Sequence, residues 1–293
     1  MRVHVVDGTF ELYRAHYSKR PSHQAGGRDV KASVGVAASM LALLDESAEA
    51  CSHLAIAFDN PIRSFRNDLW HGYKSDEGVP PELREQFDLV EELARALGLV
   101  VWSMREWEAD DALATAAARW SGVAEVRMMT PDKDLGQCLG PGVVQVDRIR
   151  RKVTDEAGFR QRWGIAPGSL PDWLGLVGDD ADGIPGLPGF GAKTATAVLA
   201  RWPHLEDVPR SAPWGLGRAG TDDRLRATLN QHWDEAQLWR KLATVVRDVP
   251  LPEELGALAW RGPRPEASKL CARLGVSDLE DRARRRAEAA GVG

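Results

Sequence analysis

Nine carboxylates stand out by where they fall in the chain. Asp7 closes an apolar run at Val3–Val6, Asp59 closes another at Leu54–Phe58, and Asp132 and Asp134 follow a third at Val126–Met129. Glu108, Asp110 and Asp111 open a helical stretch just after the run Leu99–Trp102, and Asp179 and Asp182 repeat a three-residue spacing in a glycine-rich segment. Taken singly, each has an ordinary explanation. Asp7 before Gly-Thr suits a helix cap, Asp59-Asn60-Pro61 suits a turn, and Glu108, Asp110 and Asp111 suit the positive end of a helix. Taken together, strand after strand delivers an acid to one sheet edge. Two carboxylates about 4 Å apart repel by roughly 4 kcal/mol at an effective dielectric of about 20, so such a set needs cations. No His or Cys accompanies the acids in these motifs, which makes the ligands hard oxygens and favours Mg²⁺ or Mn²⁺ over zinc. Two such ions suit in-line displacement at phosphorus, and phosphodiester hydrolysis is the natural reaction class.

Two further segments carry chemistry of their own. Arg63-Ser-Phe-Arg66-Asn-Asp-Leu-Trp70-His-Gly-Tyr73-Lys74 interleaves cations with aromatics, the pairing that holds unstacked bases and a phosphate backbone. If this segment is helical, Arg66, Trp70 and Tyr73 or Lys74 share a face. The run Gly183-Ile-Pro-Gly186-Leu-Pro-Gly189-Phe-Gly191-Ala-Lys193-Thr194 ends in a helix start. Its glycines allow close backbone approach, and free N–H groups there, with Lys193, suit a phosphate. It is not a Walker motif, because Ala192 occupies the final glycine position.

The elements that must position these residues alternate in type. Val3–Val6, Leu54–Phe58, Leu99–Trp102, Val126–Met129 and Val143–Val146 read as strands, several continuously apolar and hence buried on both faces. Lys31–Ala50, Pro81–Leu97 and Ala109–Trp120 carry helical spacing. The alternation predicts an α/β fold with a mostly parallel central sheet flanked by helices. Beyond about residue 165 strand signals fade and short helices punctuated by Gly and Pro take over, which places a domain boundary near Ile165–Pro167. The tail, with Asp281-Arg-Ala-Arg-Arg-Arg-Ala-Glu, reads as charged helix with a solvated face.

A length of 293 residues fits two domains. Three scattered cysteines exclude a disulfide framework or a zinc knuckle, no run is long enough to span a membrane, and no signal peptide is apparent, so a cytoplasmic protein is expected. The net charge of −5 argues at first against a nucleic-acid partner. Setting the nine clustered acids aside turns that −5 into +4 for the rest of the chain, and the objection lapses.

In order, the motifs VVDG, AFDN, SFR…GYK, WEADDALAT, TPDKDLGQ and GDDADGIPGLPGFGAKTA resemble the bacterial 5′-3′ exonuclease and flap endonuclease family, in its stand-alone form. The resemblance runs from about Val3 to Trp202 and more weakly to about Pro252. It implies a PIN-like nuclease domain over 1–165 with a helical arch near 61–97, a helix–three-turn–helix domain over 166–252 and a helical tail over 253–293. It implies that Asp7, Asp59, Glu108, Asp110, Asp111 and Asp132 surround one metal position, and that Asp134, Asp179 and Asp182 serve a second. By the same resemblance Arg66 and Lys74 act at the scissile phosphate and Tyr73 stacks on a base. Gly186, Gly189, Gly191, Lys193 and Thr194 grip duplex backbone, with K⁺ bound through main-chain carbonyls. The chain departs from the family at Ser75-Asp76-Glu77, where basic residues are common, at Gly183, where asparagine is frequent, and at Trp70, where tyrosine is.

The expected activity is divalent-metal-dependent hydrolysis of DNA at 5′ flaps or 5′ ends next to duplex, with RNA primers as a further partner, no membrane, and the oligomeric state left open. The alternative is a structure-specific DNA-binding protein with negligible catalysis.

Overall fold

The computed structural model describes residues 1–217 and 220–292. Two residues of the expected helix–three-turn–helix domain and the last residue of the expected tail lie outside the described residues. The strands are β1 (Arg2–Asp7), β2 (Gln24–Ala25), β3 (Arg28–Asp29), β4 (His53–Asp59), β5 (Val100–Met104), β6 (Glu125–Met129), β7 (Val143–Asp147) and β8 (Lys152–Thr154). The helices are α1 (Gly8–His16), α2 (Lys31–Asp45), α3 (Arg66–Leu69), α4 (Pro81–Arg84), α5 (Phe87–Ala96), α6 (Ala109–Trp120), α7 (Glu156–Trp163), α8 (Leu170–Val177), α9 (Ala192–Arg201), α10 (Thr221–Gln231), α11 (Trp233–Ala243), α12 (Glu266–Leu274) and α13 (Ser277–Ala289). The chain divides into two compact units. One comprises Met1–Arg63, Asp76–Thr130 and Arg247–Gly293, the other Ser64–Ser75 and Pro131–Val246.

The first unit is built on parallel strands in the order β5-β4-β1-β6. Val3, Val5 and Val6 of β1 and Ala55 to Phe58 of β4 are fully buried, as strands covered by helices on both faces must be. Helix α6 lies across all four strands, and α1 packs on α2 and α2 on α5. Beneath the sheet, His4 of β1 is fully buried, with Nε2 3.0 Å from Glu49, which also takes two hydrogen bonds from Arg127 of β6.

The charged C-terminal tail is not a free solvated helix. Helix α12 packs on α5 and α13 on α2, with Leu279, Ala283 and Ala287 buried. Arg286 Nε donates to Leu44 O at 3.0 Å and Arg282 lies 2.7 Å from Asp45, so two arginines close the carbonyl end of α2. Asp45 is far from these arginines in sequence, which is why local charge patterning read them as solvated.

The second unit is helical apart from the antiparallel hairpin β7–β8. Its largest helix contact is α8 on α11. At Gly175 of α8 an added Cβ would stand 2.9 Å from Arg240 N, so the glycine sets the closeness of the two helices. Asp172, at 2% exposure, takes hydrogen bonds from Leu205 N and Arg240, both at 3.2 Å, and sits 3.0 Å from His204 Nδ1. The three cysteines are buried.

Two expected helices are shorter than their periodicity suggested. Lys31–Ala50 stops at Asp45, and Pro81–Leu97 is broken into α4 and α5. The segment after Arg63 forms only the single turn α3. Trp70 is already extended (φ −145°, ψ 116°), so Arg66, Trp70 and Tyr73 do not share a helical face.

Candidate metal centre and nucleic-acid elements

In the first unit, the C-terminal ends of β1 and β4 carry Asp7 and Asp59. The two strands are neighbours, with Asp7 opposite Ala57. Asp7 caps α1, its Oδ1 accepting from Phe10 N at 2.8 Å, while Oδ2 accepts from Thr130 Oγ1 at 3.0 Å. Asp59 Oδ1 accepts from Ala109 N at 2.7 Å, which ties the end of β4 to the start of α6. The Asp59 amide in turn donates to Thr9 Oγ1 at 2.8 Å. At that helix start Glu108 and Asp111 form a reciprocal capping box, with Glu108 N donating to Asp111 Oδ2 at 2.9 Å. Glu108 and Asp111 are buried and Asp110 is half-buried. Capping by these acids leaves metal ligation open to them, because a carboxylate oxygen that accepts one hydrogen bond keeps a second lone pair.

In the second unit, Asp132 caps the short 3₁₀ turn Lys133–Cys138, its Oδ1 accepting from Asp134 N at 2.9 Å. Gln137 fastens that turn: its side-chain amide donates to Asp134 O at 2.9 Å and Ala243 O at 3.0 Å, and its Oε1 accepts from Val245 N at 3.1 Å. Asp179 is held by a two-way backbone pairing with Ile184, at 2.7 and 2.8 Å. The result brings ligand oxygens of Asp134, Asp179 and Asp182 within 4.8 Å of one another.

Two lysines enter this cluster. Lys133 Nζ donates to Asp179 Oδ2 and lies 3.4 Å from Asp134 Oδ1, while Lys74 Nζ lies 3.1 Å from Asp182 Oδ1. Asp134 is buried at 7% exposure, and its Oδ1 accepts no hydrogen bond. Burial pushes its carboxyl well above the usual range, reinforced by Asp132, Asp182 and Asp179 and opposed by Lys133. Burial works against the Lys133 ammonium, but Asp134, Asp179 and Asp132 outweigh it and hold the proton more firmly than on a free lysine. An all-oxygen donor set with a buried carboxylate oxygen accepting no hydrogen bond fits a hard divalent cation.

The other sequence-predicted residues fall as follows. Arg66 is buried, its Nε donating to Leu242 O and its Nη2 to Thr244 O, both at 2.9 Å, so part of the guanidinium secures the end of α11. Tyr73 is only 5% exposed, with Lys74 Nζ 5.5 Å above its ring, and in this structure its face is closed to solvent rather than open for stacking. Trp70 packs edge-on against Trp239 at 4.8 Å and donates from Nε1 to Gly183 O at 3.1 Å. The backbone around Gly183 accounts for one departure from the family resemblance. Gly183 has φ +69°, and a Cβ there would stand 1.9 Å from Gly72 O. An asparagine would fit the backbone angle but not this space. Asp76 pairs with Arg84, so part of the acidic stretch after Lys74 is neutralised in place.

The glycine-rich turns connect α8 to α9. Gly186, at φ +70°, packs where a Cβ would meet Val177 C at 2.4 Å, whereas Gly189 and Gly191 face more open space. Gly191 is the N-cap of α9, Lys193 is exposed and Thr194 half-buried. Sequence reasoning had not singled out Lys133 or Gln137. The only available signal was the flanking of Lys133 by Asp132 and Asp134.

An acid-edged parallel sheet and a helix–glycine-turn–helix element with its own acidic cluster define an α/β protein with a candidate metal centre. Family comparison is specific: residues 2–164 match the 5′-3′ exonuclease N-terminal resolvase-like domain and residues 165–266 the 5′-3′ exonuclease C-terminal SAM fold. The chain belongs to the 5′-3′ exonuclease family. It is 34% identical over 265 residues to DNA polymerase I of Bacillus caldotenax (88% of this chain, 29% of that one). It is 32% identical over 264 residues to DNA polymerase I of Rhizobium leguminosarum (87% and 25%). The chain thus spans less than a third of the length of these relatives. The fold is that of T5 5′-exonuclease with divalent metal ions (zinc) bound (TM-score 0.65, 17% identity, 98% of this chain and 99% of that one). It is also that of the catalytic core of Rad2 in complex with DNA substrate (0.61, 13%, 98% and 92%).

Proposed function

We propose that this chain is a divalent-metal-dependent 5′ nuclease that hydrolyses phosphodiester bonds of DNA at 5′ flaps or 5′ ends next to duplex. The observation that carries the reading is the convergence of Asp134, Asp179 and Asp182 within 4.8 Å, with a buried Asp134 oxygen that accepts no hydrogen bond. When bound, Mg²⁺ or Mn²⁺ polarises the scissile phosphate and makes hydroxide available near neutral pH. Asp134, Asp179 and Asp182 would hold one ion; Asp7, Asp59, Glu108, Asp110 and Asp111 would serve another. Lys74, already against Asp182, brings a cation to the phosphate, and Arg66 braces the segment that carries Lys74. Lys193 and the backbone from Gly186 to Thr194 would hold duplex phosphates, with K⁺ at the turn carbonyls. RNA primers are a second substrate class and the cytoplasm the expected compartment; no helix among the described residues is long and apolar enough to cross a membrane.

The test is incubation with a labelled 5′-flap duplex over Mg²⁺, Mn²⁺ and salt series. Metal-dependent release of short 5′ products, abolished by EDTA and by Asp179→Ala, is expected. Tight flap binding without cleavage in any metal would overturn the reading in favour of a binding protein.

A further inference from the structure

Lys133 occupies an unusual place for a lysine beside a metal cluster. Its ammonium is inserted between two of the three clustered acids, donating to Asp179 Oδ2 and standing 3.4 Å from Asp134 Oδ1. Asp134 has no other neutralising cation among the described ion pairs, and its Oδ1 accepts no hydrogen bond. Carboxylates this close cannot all stay ionised without positive charge among them. Yet the Lys133 side chain is 39% exposed, against 8% and 11% for those of Asp179 and Asp134. The acids are fixed, while the lysine has a route to water and a flexible four-carbon stem with which to take it.

We propose that Lys133 is the internal counter-cation of the Asp134–Asp179–Asp182 cluster: it takes the cation position between Asp134 and Asp179 and swings to solvent when a divalent ion binds. Lys133 thereby sets the metal concentration at which the cluster fills. This inference rests on the metal-centre reading above and deepens it. Lys133 competes with the ion for the same oxygens, so removing its charge has two effects of one sign. The competitor disappears, and the repulsion left among the acids favours the metal-bound form. Lys133 also keeps the acids together before metal arrives, so its loss weakens the metal-free fold specifically.

The experiment is calorimetric titration of the full chain with Mn²⁺ alone, together with thermal melting in EDTA and in saturating Mn²⁺. Lys133→Gln is expected to tighten Mn²⁺ binding by at least about fivefold, a typical coupling between two sites. It should also lower the melting temperature in EDTA but not in Mn²⁺. Lys133→Arg, which keeps the charge, should hold both properties near wild type and controls for general misfolding. Unchanged or weaker Mn²⁺ binding in Lys133→Gln, with the wild type binding normally, overturns this proposal alone. Absence of Mn²⁺ binding in the wild type overturns the metal-centre reading with it.

Discussion

The described contacts of the two sets of acids differ in their weight of backbone and ammonium donors. In the first unit, Asp7, Asp59, Glu108 and Asp111 are each engaged by a backbone amide or a hydroxyl, the fixed dipoles of helix starts and strand ends. In the second, Asp134, Asp179 and Asp182 are met by the ammonium groups of Lys133 and Lys74. The first arrangement is part of the secondary structure and contributes to stability. The second is a concentration of charge that the fold tolerates by supplying its own cations, and it is the natural place for occupancy to vary.

The largest expected effect separates chemistry from folding. Asp179→Ala should lower flap cleavage by about 10²-fold or more, a loss typical of a transition-state charge stabiliser, with the far-UV spectrum retained. Next comes Gly183→Ala, which forces a Cβ against Gly72 O; a cost of about 2 kcal/mol or more is expected in urea unfolding. Asp7→Ala removes a helix cap and should cost about 1 kcal/mol in EDTA. Asp134→Asn should do the reverse in EDTA and raise the melting temperature, since it removes a buried charge. Equal destabilisation by the last two variants would erase the distinction between the sets.

The pH dependence sharpens the same contrast. The folded Asp134 carboxyl titrates well above its unfolded value of 3.8. Its stabilising contribution is therefore complete below 3.8 and is lost as pH rises through the folded value. The EDTA-treated wild type should lose the stability difference from Asp134→Asn on acidification, as followed by melting temperature. His4 behaves oppositely. Burial lowers its pKa against the pull of Glu49, so its contribution is complete above 6.5 and falls away as pH drops through the folded value. A modest acid-side decline, reduced in His4→Gln, is the smallest effect expected.

Much of this was legible from residue types alone. β1 and β4 announce themselves because unbroken apolar runs suit only strands covered on both faces, and the acids are visible because each ends such a run or opens the helix after it. The hidden features depend on partners remote in sequence. Arg66 looks like a surface cation until Leu242 and Thr244 take up its donors. The helical face imagined for Arg66, Trp70 and Tyr73 is cut short where Trp70 turns to Gly183. Lys133, alone between two aspartates, looks like any solvated charge until Asp179 arrives from a later turn.

The discontinuous make-up of the first unit has a consequence for biosynthesis. Its sheet is encoded early, but α12 and α13, which cover α5 and close the end of α2, are encoded after the whole of the helical unit. A nascent chain leaving the ribosome therefore carries an unfinished sheet-bearing unit through the whole of the helical unit's synthesis, with apolar surface on α2 and α5 still uncovered. Closure of this unit waits for the codons of α12 and α13, which makes a truncation before α12 a folding lesion.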